Sequence, residues 1–120
     1  MDGRRLIEAL IRLGSAEARN REFAQARIHL ERSLQLSLAM WPDAREDLRS
    51  FSCIGNSQES IGDLERLSGK TVSACEAYRK SLETWQAWPS VGVSSFYDRE
   101  HAAKVRTKLV GCGTTSGASE

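Results

Sequence analysis

No stretch of this chain comes near the ~20 consecutive apolar residues of a membrane-spanning helix. The opening Met1-Asp2-Gly3-Arg4-Arg5 has no long apolar run behind it that could act as a secretory signal. Cysteine is scarce as well. Cys53, Cys75 and Cys112 are odd in number, widely spaced and form no C-x-x-C pair, so neither a disulfide framework nor a zinc site is indicated, and a reduced, cytoplasmic setting is expected. An excess of one charge is also missing. Seventeen basic residues stand against 16 acidic ones for a net charge of +1, which argues against a general nucleic-acid or membrane-surface binder.

Catalytic groupings are equally thin. Gly69-Lys70-Thr71 looks like the end of a phosphate-binding loop, but that pattern needs a glycine where Leu64 stands and a preceding strand, so a helix-connecting turn is expected instead. The only histidines, His29 and His101, sit in helical patterns beside Arg27 and Arg32, and beside Arg99 and Lys104, with no acidic orienting partner in a recognisable motif. They are read as solvated or stacking side chains, and no metal site follows from them. The expectation is therefore a protein without catalytic residues, cofactor or metal.

What the chain does have is a repeat. Leu13-Gly14, Ala26, Leu30 and Ser33 return as Ile61-Gly62, Ala74, Tyr78 and Ser81, each 48 residues later. A large residue and a glycine on one helix, followed by a small–large–small series on the next, suits two antiparallel helices whose backbones pack closely. With 40% hydrophobic residues in 120, one domain with a core is expected.

Apolar spacing places a first helix from Arg4 to about Arg19, buried on more than one side, and a second from Asn20-Arg21-Glu22 to Met40 with Phe23, Ala26, Leu30, Leu34 and Leu38 on one face. Trp41-Pro42 stops it. A long third helix runs from about Pro42-Asp43 to Leu67 through Leu48, Phe51, Ile54, Ile61 and Leu64, and Ser68-Gly69 breaks it. Thr71 opens a fourth helix packed through Ala74, Tyr78, Ser81, Leu82 and Trp85, which ends at Trp88-Pro89. A serine cap near Ser94 with Asp98 in the first turn starts a fifth helix that Gly111 terminates, and Phe96, Ala102 and Leu109 repeat Leu48, Ile54 and Ile61. The domain is thus residues 1–112, as hairpins 4–40 and 43–88 and a capping helix 95–110, with a disordered tail 113–120. Trp41, Trp85 and Trp88 are read as wedges between successive repeats, and the basic run Arg99, Lys104, Arg106 and Lys108 as a solvated end face.

Leu13-Gly14, Phe23, Ala26, Leu30 and Ser33, then Ile61-Gly62, Ala74, Tyr78 and Ser81, resemble the tetratricopeptide repeat (TPR). Thr71 replaces the second copy's aromatic, and the 48-residue period exceeds the family's ~34, with the extra residues in the third helix. The resemblance implies an all-α, right-handed stack of antiparallel hairpins of about five helices, and a first helix whose leading turns would lie before Met1. Trp85-x-x-Trp88-Pro89 and Ser94-Ser95-Phe96-Tyr97-Asp98 resemble the closing, C-terminal repeats of bacterial multidomain signalling proteins that carry serine/threonine kinase domains, although no kinase motif is present.

Such arrays bind partners in a groove lined by the first helix of each hairpin. The positions that the resemblance carries over are Glu8, Ile11, Arg12, Ser15 and Arg19, then Asn56, Glu59, Ser60, Asp63 and Arg66. TPR clamps for a chaperone's C-terminal carboxylate have lysine and asparagine where Ile11 and Ser15 stand and asparagine at Ser60, so chaperone-tail recognition is not implied. A protein-interaction module for a partner peptide or helix is the leading expectation. A regulatory or self-association segment of a kinase-type signalling protein is the alternative, with homo-oligomerisation through uncovered residues among Leu6, Ile7, Leu10 and Ile11.

Overall fold

The structure is a computed structural model that describes residues 3–41, 48–87 and 96–119, with side chains left undescribed at 48–51 and beyond 112. Among the described residues the chain is all-helical: α1 Gly3–Arg19, α2 Phe23–Met40, α3 Leu48–Leu67, α4 Thr71–Gln86 and α5 Phe96–Ser119. None of these helices is long and apolar enough to cross a membrane. The boundaries expected at Pro42-Asp43, at Trp88-Pro89 and near Ser94 fall outside the described residues.

The two helix-to-helix turns are the same turn. Asn20 N donates to Ala16 O (3.0 Å), Arg21 N to Ala18 O (3.1 Å) and Glu22 N to Glu17 O (2.8 Å). Ser68, Gly69 and Lys70 repeat these bonds to Leu64, Arg66 and Glu65 at 3.0, 3.1 and 2.8 Å. Each turn needs one residue in the left-handed region so that the chain reverses while the last helical carbonyls stay satisfied. Gly69 fills that place at φ 86°, and Arg21 fills it at φ 64°.

Each turn closes an antiparallel hairpin. In the first, Gly14 lies against Leu30 and the Ala26 carbonyl, and Glu17 against His29. In the second, Gly62 and Gly55 lie against Tyr78 and Trp85, so Tyr78 fills the space over Gly62. The repeat conserves filled volume instead of residue type. Buried Ile7 on α1 and Ser37 on α2 correspond, 48 residues on, to Gly55 and Trp85, so a large and a small residue are replaced by a small and a large one. Close packing allows this exchange because it requires only that the summed volume fit the gap.

Two buried clusters follow: Ala18, Ala26, Leu30 and Leu64 join the first hairpin to α3, and Ala74, Cys75, Tyr78, Trp85, Ala102, Val105 and Cys112 join the second to α5. Trp85 is buried against α3 and stacks on His101 of α5.

Three expectations are corrected here. Cys75 and Cys112 form a disulfide, with Cα atoms 5.5 Å apart. Their spacing in sequence concealed this, because the pair meets only when α5 folds back along α4. Helix α5 does not stop at Gly111 but continues to Ser119, so the stretch expected to be a disordered tail is helical through that residue. An interior glycine costs a helix only about 1 kcal/mol, which does not force a stop. Phe96, matched by pattern to a core position, is 71% exposed. At the other end Leu6 is exposed as expected, whereas Ile7 and Leu10 are buried and Ile11 is half-buried.

Candidate functional site

Helices α1, α3 and α5 run side by side in the same direction, and polar side chains bridge them at one register. Ser15 Oγ donates to Ser60 Oγ at 3.4 Å between α1 and α3. Their equivalents 48 residues on are Asp63 and Lys108, which bridge α3 and α5: Lys108 Nζ donates to Asp63 Oδ1 at 2.9 Å and to Glu59 Oε2 at 2.7 Å. Lys104 Nζ lies 3.8 Å from Glu59. The surface is a ladder whose first rung is neutral and whose second is an ion cluster.

Between α1 and α3, Ser15, Ala18, Arg19, Ser60, Asp63, Arg66 and Leu67 line a cavity of about 280 Å³. Arg19 and Arg66 bring positive charge to it from the last turns of their helices. Tyr78 reaches its edge from α4, where its hydroxyl donates to Asp63 Oδ1 at 2.5 Å and accepts from Arg66 Nε at 3.2 Å. Burial, then the bond to Asp63, pushes the Tyr78 phenol well above its ordinary value, so it stays protonated. The bond that Arg66 donates to Tyr78 raises the Arg66 guanidinium. Burial pulls the Lys108 ammonium down, but its bonds to Glu59 and Asp63 outweigh that and leave it raised. Tyr78, Arg66 and Lys108 are thus each held in the protonated form, as fixed donors.

Five of the residues placed in a groove by resemblance thus share one cavity: Ser15, Arg19, Ser60, Asp63 and Arg66. Glu59 is buried and turned to α5, and Asn56 donates to Ser52 within α3 at 3.4 Å. Glu8 and Arg12 are exposed on α1, and neither they nor half-buried Ile11 line this cavity. Sequence reasoning missed Lys108 and Tyr78. Lys108 belonged to a basic run read as a solvated face, and the available signal was its 48-residue relation to Ser60.

Of the two histidines, His101 stacks as expected, and His29 differs. His29 Nδ1 sits 2.7 Å from Glu17 Oε1, an acidic partner supplied by the neighbouring helix and invisible as a local motif. Among the described residues no hydroxyl or thiol is hydrogen-bonded to that histidine. His101 lies between Trp85 and Tyr97, with ring centroids 4.5 and 4.4 Å away, and burial lowers its pKa. Among the described residues no group of three or more His, Cys, Asp or Glu is placed to hold a metal ion.

Among the described residues, these observations define an all-helical arrangement of two like hairpins and a fifth helix, with a polar surface across every second helix. Comparisons with protein-family models, curated proteins and solved structures return no match.

Proposed function

We propose that the chain is a protein-interaction module, a short TPR-like right-handed stack that holds a partner peptide or helix along α1, α3 and α5. The observation that carries this reading is the cavity between Ser15, Arg19, Ser60, Asp63 and Arg66, which gathers fixed donors and charges from two helices. Such a set is suited to orienting a ligand, and it lacks the nucleophile-and-base geometry that turnover requires. The repeated register of the Ser15–Ser60 and Asp63–Lys108 bridges supports a continuous binding surface in place of a single pocket.

Selection from a displayed peptide library tests the reading. Selected binders are expected to lose affinity by about tenfold or more on Ser60→Tyr, which fills the cavity, and on Arg66→Glu. Both variants should stay folded by circular dichroism, and Ile28→Ser on the exposed side of α2 should leave binding unchanged. Binders insensitive to Ser60→Tyr and Arg66→Glu would refute the groove.

A further inference from the structure

The repeat presents one helical surface twice, once covered and once bare. On α3, Ile54, Ser57 and Leu64 are 3%, 0% and 0% exposed, and Ile61 packs against the Ala18–Leu30 cluster. The first hairpin covers much of that surface: Ser33 Oγ lies 3.0 Å from Ser57 Oγ, and Leu64 joins Ala26 and Leu30. The equivalents 48 residues earlier are Leu6, Ala9, Leu13 and Ala16. Three and four residues apart, they form a stripe on α1. All four are exposed, Leu6 and Leu13 at 45% and 46%.

The bare copy also differs in charge. Arg5, Arg12 and Arg19 recur at seven-residue spacing beside the stripe, where α3 carries Cys53, Ser60 and Leu67. All three arginines are exposed, and among the described residues none lies in an ion pair. The covered copy therefore gives the shape of what fits the stripe, a close-packed helix surface, and the arginine row gives its charge.

We propose that the outer face of α1 docks an amphipathic helix from another protein, with an apolar ridge on Leu6, Ala9, Leu13 and Ala16 and an acidic edge against Arg5 and Arg12. A second copy of this chain is the less suitable occupant. An antiparallel pairing of two α1 helices would set each leucine opposite an alanine, but it would also bring the two arginine rows to the same side, where like charges repel. The alternation of leucine and alanine leaves recesses into which a partner's larger side chains can seat, as Leu30 seats over Gly14 inside the hairpin. Arg19 also lines the cavity between α1 and α3, whereas the stripe, Arg5 and Arg12 do not, so the two surfaces can be tested apart.

The probe is a lactam-stapled helical peptide of ~20 residues. It carries leucine and alanine alternating at three- and four-residue spacing, with glutamates along the adjacent edge. Its control has lysine in place of every glutamate. Titrated against the full chain by fluorescence anisotropy, the glutamate peptide is expected to bind at least about tenfold more tightly than the lysine peptide. Leu13→Glu should weaken binding by about tenfold or more at unchanged melting temperature. The double variant Arg5→Gln, Arg12→Gln should reduce both affinity and its salt dependence. Arg66→Glu, in the groove, should leave it unchanged. Equal binding of the two peptides, or insensitivity to Leu13→Glu, overturns the proposal. So does loss of binding on Arg66→Glu, which would put the peptide in the groove, or a dimer in sedimentation that Leu13→Glu dissociates, which would make a second copy the occupant.

Discussion

The two hairpins share a backbone plan and differ in how firmly it is fixed. In the first, the space over Gly14 is filled by Leu30, an aliphatic side chain that can change rotamer. In the second, the space over Gly62 is filled by Tyr78, whose hydroxyl is tied to Asp63 and Arg66 and whose ring lies 5.5 Å from Lys108 Nζ. The second hairpin is stapled to α5 by Cys75–Cys112, whereas the first meets α3 through a small apolar cluster and the Arg27–Glu65 pair at 2.6 Å. A repeat thus sets where helices lie, and the identity of the filling residues sets how much each contact resists change.

The largest test of that asymmetry is the staple. The disulfide closes 37 residues of separation, so Cys112→Ser should lower stability by about 3 kcal/mol. Hydrogen exchange should quicken in α5 and α4 while α1 and α2 stay protected. Uniform loss across all five helices would mean that the hairpins do not differ in how they are held.

Gly62→Ala should cost about 2 kcal/mol, because the new Cβ would stand 2.5 Å from a Tyr78 ring anchored at its far end. Gly14→Ala should cost about 1 kcal/mol less, since Leu30 can yield. Urea unfolding of the two variants decides it, and equal losses would break the comparison.

At the next step, Lys108→Met should cost about 1.5 kcal/mol by leaving buried Glu59 with only the more distant Lys104. The equivalent change in the first rung, Ser60→Ala, should stay within about 0.5 kcal/mol because a half-buried hydroxyl can be exchanged for water. Chemical denaturation of both would show whether the second rung is the firmer.

The interface between the hairpins has a pH signature. The hydrogen bond from Arg27, opposed by burial, holds the Glu65 carboxyl below its ordinary range. Its contribution is therefore present above the usual glutamate value of about 4.3 and is lost as pH falls through the lowered folded value. Glu65→Gln should flatten the acid limb of the stability curve by about 1 kcal/mol. An unchanged limb would show that the pair does not join the hairpins.

The smallest effect concerns the turns. Arg21→Gly should raise stability by about 0.5 kcal/mol by removing the side-chain penalty at φ 64°, less the loss of the guanidinium stacked over Phe23. Gly69→Arg should lower it by a similar amount.

The sequence by itself determined the helices and their pairing. The glycines at 14 and 62, the small–large–small series and the apolar periods encode local chain direction and the faces that must be covered, and both are near-neighbour properties. Of the ten side chains that the resemblance placed in a groove, five line one cavity and five do not. Only the tertiary structure decided which distant groups meet: Cys75 with Cys112, Lys108 with Glu59 and Asp63, His29 with Glu17. Those meetings depend on the relative shift of packed helices, and a slide of one turn, about 5.4 Å, would break every one of them while leaving each helix's own pattern intact.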